Sequence, residues 1–397
     1  MGRYLSFEII IMLRSTSISR REAYQSFALA RRILLQINMW NSPGLWRKVK
    51  EFALGNNHFT RDSLIWSRDL EKHCYGDLSC AQVQANIVME DYCQVKIRPD
   101  ATFVGVYDGH SSPEAACFIC DNLFLHLTRL AQENGAFSED ILRSAISATE
   151  DGFLSLVRRT QRVNPSIVQT GSCCLVGVIW SGILYVANLG DSIAVIGSLG
   201  GSNEIVAEQL TREHNAKVKE VREELKSMHP DDKDIVILKH GIWRIKGIIQ
   251  TSRSIDDAYL KRPEFSAPKR FAHISIRRPV LTAEPSIYTR VLQPNDKFII
   301  FASDGLWEHL SNQEAADVVH KNPRNGIARR LLKTALTLAA KKREMTYKQL
   351  QPIDKGIRRH FHDDISVIVI FIDHQLMGKT ISLPDLLIRG FLDTVGP

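Results

Sequence analysis

Apolar residues fall along this chain in two rhythms. Unbroken runs at Thr102–Tyr107, in "KFIIFA" and in "ISVIVIFID" are too short for helices and predict strands buried on both faces. Longer stretches repeat their apolar positions every three or four residues. They predict a helix from Pro113 to Ala131, a second from Ser138 to Arg159, and a long amphipathic one in "RNGIARRLLKTALTLAAKKREM". "TREHNAKVKEVREELKSMHPDD" predicts a charged helix that stops at Pro230.

The segment "TGSCCLVGVIWSGILYVANLGDSIAVIG" is cut into three apolar runs by Ser181-Gly182 and Gly190-Asp191, the mark of an antiparallel meander. Strands grouped in hairpins, with helices grouped between them, indicate an α+β fold rather than alternating βαβ units. Because the pattern becomes dense only from Leu78, residues 1–77 are expected to form an extension and 78–373 the folded domain. Residues 374–397 are a tail with no clear period and no assigned role.

Composition changes this picture little. At 397 residues and 44% hydrophobic content the chain can bury a large core. The net charge of +7 comes without an aromatic-interleaved basic stripe, so nucleic acid is not an expected partner. Apolar runs such as Ile9–Leu13 fall far short of the roughly 20 residues a membrane span needs. The first fifty residues carry nine Lys/Arg against two Glu, which fits an organellar presequence or a basic arm, and Gly2 with Ser6 matches a myristoylation pattern. Seven cysteines read as small buried hydrophobes of a reducing compartment; Cys117 and Cys120 spell C-x-x-C but lie inside a helical pattern with no second ligand pair.

The chemistry sits at strand ends. "TFVGVYDGHSSPEA" climbs an apolar strand into Asp108, Gly109 and His110, and "FASDGLWE" repeats the device at Asp304. Glu90 and Asp91 in "ANIVMEDY", and Asp363 and Asp364 in "HFHDDIS", complete four acidic segments far apart in sequence. Any one alone reads as a turn. If folding gathers them, their mutual repulsion calls for a divalent cation, and oxygen-only ligands suit Mg2+ or Mn2+. His360 and His362 beside Asp363 invite a zinc-hydrolase reading, but the H-x-H-D-D spacing has no companion pattern, and packing is the favoured role.

These segments, with "VQANIVMEDYCQV", "LYVANLGDS", "EQLTREHNA", "WRIKGIIQTSRSI", "LTAEPSI" and "FASDGLWEHLSNQEA", resemble in order the metal-dependent type 2C protein serine/threonine phosphatases of the plant kind, over roughly Leu78 to Asp373. The likeness is greatest to the subgroup acting on the plasma-membrane proton pump. It implies a four-layer αββα sandwich, two central antiparallel sheets flanked by helix pairs, with a binuclear Mg2+ or Mn2+ centre at one end. By the family pattern Asp108 bridges both ions, the Gly109 carbonyl binds one, and Asp304 and Asp363 bind the other. Glu90 and Asp91 hold bound waters, and Asp191 with Asp304 serves a third, weaker ion. A bridging hydroxide attacks phosphorus in line, and His110 protonates the departing serine or threonine oxygen.

The resemblance implies phosphoprotein substrates, a monomer, and an intracellular location in which cytoplasm, nucleus or plasma-membrane surface is favoured over an organelle. Substrate choice is expected to involve the basic loop Lys261–Arg278. Several positions depart from the family. Asn86 stands where an arginine clamps the substrate phosphate, Ser111-Ser112 follow His110 in place of glycine, Ile193 replaces an arginine, and Asp256 replaces the glycine of S-I-G-D. If the Ser111 turn needs positive φ, strain there is on the order of 1 kcal/mol. An added acid at Asp256 would repel a phosphoprotein or point into solvent. These departures support a second reading, a pseudophosphatase that binds or regulates partners without turnover.

Overall fold

The computed structural model describes residues 62, 64–201, 203–265, 278–377, 383 and 385–394; the basic first fifty residues, with Gly2 and Ser6, and most of the Lys261–Arg278 loop lie outside these. The apolar runs do form strands buried on both faces. In Asp296–Ala302, Phe298, Ile300 and Ala302 face one way into a helix-covered core, while Ile299 and Phe301 face the other way into a core between two sheets. Ile365–Phe371 repeats the alternation, with Val367 and Val369 toward helices and Ile368 and Ile370 toward the opposite sheet. Period-two side chains on a fully covered strand require two layers of partners.

The strands are β1 Ile65–His73, β2 Gly76–Val83, β3 Asp91–Ile97, β4 Ala101–His110, β5 Cys174–Trp180 and β6 Ile183–Leu189. They continue as β7 Ile193–Leu199, β8 Ile205–Gln209, β9 Ser286–Val291, β10 Asp296–Ala302, β11 Ile365–Phe371 and β12 Leu386–Ile388. One antiparallel sheet has the order β1-β2-β11-β10-β7-β8, and the other runs β12-β3-β4-β5-β6-β9. The expected meander is β5, β6 and β7, but it is split between them: β5 and β6 pair in the second sheet, and β7 crosses to the first.

Helices α1 Glu114–Asn134 and α2 Glu139–Thr160 cover the second sheet, where Ile119, Leu123, Leu127, Leu142 and Ile146 meet Phe103, Tyr107, Val176 and Val178. A charged helix, α3 Lys219–Met228, buries only Val221 and Leu225. On the first sheet, α4 Asn312–His320 and α5 Ile327–Lys341 pack Ala315, Val319, Leu331, Leu332 and Leu336 against Phe298, Ile300 and Val367. The α+β, four-layer expectation is met. Cys120 belongs to the α1 core, and all seven cysteines are free. Among the described residues no helix is long and apolar enough to cross a membrane.

The edges of the folded unit differ from the sequence expectation. β1 lies before residue 78 yet pairs with β2 along its length, and β12, in the tail, pairs with β3 through Leu386↔Ile97 and Ile388↔Val95. Both are edge strands with mixed burial, whose weak apolar period hid them.

Arg324, just before α5, ties two strand ends together. It donates to Asp77 at 2.8 Å and to both oxygens of Asp373 at 2.9 and 2.7 Å. These bonds hold the Asp373 carboxyl below its usual range. A carboxyl depressed in the folded state contributes stability above its unfolded pKa, and that contribution is lost as pH falls through the folded value. Arg324→Met is therefore expected to lower stability by about 1 kcal/mol at neutral pH, with the deficit shrinking in denaturant titrations as acid protonates Asp373.

Candidate metal centre

Strand ends from both sheets deliver the acidic groups to one side of the domain. Asp108 and Gly109 lie near the end of β4, and Asp91, the first residue of β3, sits directly across from Asp108. β10 passes through Ser303 to Asp304, which opens a short helical turn. Asp363 and Asp364 immediately precede β11, and Asp191 occupies the turn between β6 and β7. All eight sequence-predicted positions, Glu90, Asp91, Asp108, Gly109, His110, Asp191, Asp304 and Asp363, line one cavity of about 440 Å3.

Oxygens of Asp108, Asp191 and Asp304 lie within 4.8 Å of one another. Burial, and then mutual repulsion, push the carboxyls of Asp91, Asp108 and Asp304 well above the usual range. The same causes push Glu90 up to about 7. Burial drives Asp363 up to about 6, outweighing the Arg359 guanidinium that pairs with it at 2.6 Å. Protein groups thus leave this cluster undercompensated, and the Asp304 Oδ1 atom is buried with no hydrogen-bond partner among the described residues. An all-oxygen, multiply acidic donor set with an orphaned ligand atom fits hard divalent cations. The histidines stay out of it: His362 is buried with Nδ1 against the Asp363 carbonyl at 2.7 Å, and His360 is exposed.

Gly109 is required by contact rather than by φ. A Cβ there would meet the Glu90 carbonyl oxygen at 2.6 Å, so only glycine lets β4 lie this close to the Glu90 segment. The segment itself is clamped by Asp364, which the sequence reading grouped with the acidic segments but did not assign to this task. Asp364 accepts from the backbone N–H of Ala85 at 2.6 Å, Asn86 at 3.0 Å and Glu90 at 2.8 Å, fixing the loop to the start of β11. Ser303 plays a similar part, donating to Asp91 Oδ2 at 2.6 Å and accepting from the Ser366 N–H. Both lie next to predicted ligands, and that adjacency was the available signal. Asp257, which bonds to His110, was passed over although it is the acid of the S-I-G-D pattern, and Arg359 had no period or spacing to mark it.

The family departures occupy different surroundings. Ser111 has φ +68°, so the turn after His110 does demand the conformation glycine favours. Ile193 is buried at the start of β7, and the Asn86 amide donates to Glu90 Oε2 at 3.0 Å. Asp256 also has a positive φ, +61°, but it neither faces solvent nor reaches the cavity: it is 0% exposed. Its N–H donates to Glu150 at 2.6 Å, while neither carboxylate oxygen meets a donor at full hydrogen-bond geometry, and burial followed by the nearby Glu150 charge raises its pKa well above normal.

Two outcomes follow. Asp304→Asn removes one of the repelling charges and a candidate cation ligand, so without divalent metal its melting temperature should rise by about 2 °C while the Mn2+-induced upward shift disappears. Asp256→Gly restores the residue suited to this φ and removes a buried unpaired carboxyl, and should raise unfolding free energy by about 1–3 kcal/mol in urea titrations.

The protein phosphatase 2C family matches residues 80–344. Probable protein phosphatase 2C 43 of Oryza sativa subsp. japonica is 60% identical over 367 residues, covering 89% of this chain and 94% of that protein. Probable protein phosphatase 2C 68 of Arabidopsis thaliana is 61% identical over 345 residues, covering 85% and 88%. The fold is shared with a serine-threonine phosphatase 2C from Toxoplasma gondii, at a TM-score of 0.58 and 16% identity over 78% of this chain and 99% of that one. A C. elegans sex determining protein aligns with a TM-score of 0.52 and 17% identity, over 84% and 73%. With its strand-end carboxylates gathered and its relatives spanning nearly the same length, the chain belongs to the protein phosphatase 2C family, the metal-dependent protein serine/threonine phosphatases.

Proposed function

We propose that this chain is a catalytically competent phosphatase using Mg2+ or Mn2+, rather than a pseudophosphatase. The observation that carries the reading is the convergence of every predicted carboxylate, with His110, on one cavity. Asp108, the Gly109 carbonyl, Asp304 and Asp363 are assigned to hold two ions, with Glu90 and Asp91 ordering water beside them and Asp191 serving a third, weaker site. When bound, the ions supply acidification of water and neutralisation of charge on the phosphoryl oxygens. His110 donates a proton to the departing serine or threonine oxygen.

The departures do not oppose turnover. Asp256 is withdrawn into the protein, Ile193 is a core residue, and Ser111 adopts the glycine-like backbone that its position needs. Phosphoproteins are the substrates, and on the motif resemblance we extend this to a plasma-membrane proton pump and to a monomeric enzyme acting inside the cell. The full chain should release phosphate from a phosphothreonine peptide with Mn2+ or Mg2+, and lose at least about a hundredfold on chelation or in Asp304→Asn. Absence of turnover, with the Mn2+-induced melting shift intact, would establish the pseudophosphatase instead.

A further inference from the structure

His110 does not stand alone at the cavity. Its Nε2 lies 3.0 and 2.8 Å from the two carboxylate oxygens of Asp257, a residue that is 1% exposed. Sequence brings the two together only through a short run of pairing beyond the main sheet: His110 pairs with Gly171, and Gly171 with Asp256. Gly171 leaves the room, since a Cβ there would meet Asp257 Oδ2 at 2.2 Å and His110 Nε2 at 2.5 Å.

Asp257 is itself held from three directions. Ser254 Oγ donates to Asp257 Oδ2 at 2.6 Å, and the Asp257 N–H donates to the Thr170 carbonyl at 3.0 Å. The loop carrying it is pinned to α2, because buried Lys261 donates to Glu150 Oε1 and to the Ser254 carbonyl, each at 2.8 Å. Such a scaffold fixes a carboxylate far more tightly than a loop aspartate needs for solubility or turn formation. Among the described residues His110 Nδ1 has no hydrogen-bond partner, and the side chain keeps 27% exposure at the cavity.

We infer that Asp257 is the positioning residue for His110: it engages Nε2–H, sets the ring's orientation, and leaves Nδ1 to serve the leaving group. This rests on the phosphatase reading above. In the step concerned, a water oxygen forms a new bond to phosphorus and the bond from phosphorus to the substrate's serine or threonine oxygen breaks. That oxygen keeps the electron pair and takes the proton from Nδ1, leaving neutral imidazole, free alcohol and inorganic phosphate. A poor alkoxide leaving group needs this proton, whereas p-nitrophenolate departs with little help.

The test compares the full chain with Asp257→Asn, Ser254→Ala, His110→Gln and the Asp257→Asn/His110→Gln double variant, on a phosphothreonine peptide and on p-nitrophenyl phosphate with Mn2+. Asp257→Asn should lower kcat on the peptide by about 10- to 100-fold with KM little changed, and its loss on p-nitrophenyl phosphate should be at least about tenfold smaller. The double variant should be no slower than His110→Gln alone, and Ser254→Ala should show a weaker form of the same split. An equal loss on both substrates, or a further loss in the His110→Gln background, overturns the inference in favour of a structural role. If Asp257→Asn does not fold, judged by its Mn2+-induced melting shift, Ser254→Ala decides by the same ratio. A wild-type chain that turns over neither substrate defeats the phosphatase reading and this inference together; turnover with the ratio unmoved defeats the inference alone.

Discussion

Like charges crowded out of water repel, and the arrangement of this domain is governed by the need to hold its carboxylates together against that repulsion. A loop cluster would relax by swinging its side chains apart. Here Asp91, Asp108 and Asp304 are fixed by strands whose other residues fill two faces of packed core, so separation would require moving a sheet. The helix layers matter for the same reason. They bury the outer faces of both sheets and make the strand ends rigid, so the electrostatic strain is stored at one rim, where a cation can relieve it.

Rigidity at the rim also depends on groups that bear no chemistry. Asp364 spends both oxygens on backbone amides, and Ser303 bridges Asp91 to the strand that follows. Their work is to tie the connection at residues 85–90, and Asp91 after it, into the frame. Asp257 extends this logic to His110, with a buried ion pair between Lys261 and Glu150 anchoring its loop. A charge pair of this kind adds little stability by itself, but it fixes one geometry.

The fold was legible in the sequence wherever side chains are buried on two faces or along one helix stripe. β4, β10, β11, α1, α2 and α5 announce themselves by period, and the strand-to-Asp-Gly device marks Asp108 and Asp304. Edge strands escaped, because β1 and β12 alternate only loosely between core and solvent. In the site, the acidic residues that gather at the cavity were readable from residue type at strand ends, while the contact of Asp257 with His110 and the clamp made by Asp364 were not, since both depend on pairings across long sequence separations. Asp256 shows the limit of reading charge alone. An aspartate near a phosphate-handling site suggested repulsion or solvent, yet local pairing turns it inward.

The strand supplied by the tail has a meaning in time as well as in space. β12 pairs with the Val95–Ile97 end of β3, the strand that begins with Asp91, and it lies in sequence after every other strand of both sheets. Until β12 is in place, that end of β3 is an open edge with unpaired amides and carbonyls. Completion of this edge therefore waits on a pairing of long sequence separation, and the interval before it is when a chaperone has an edge to guard.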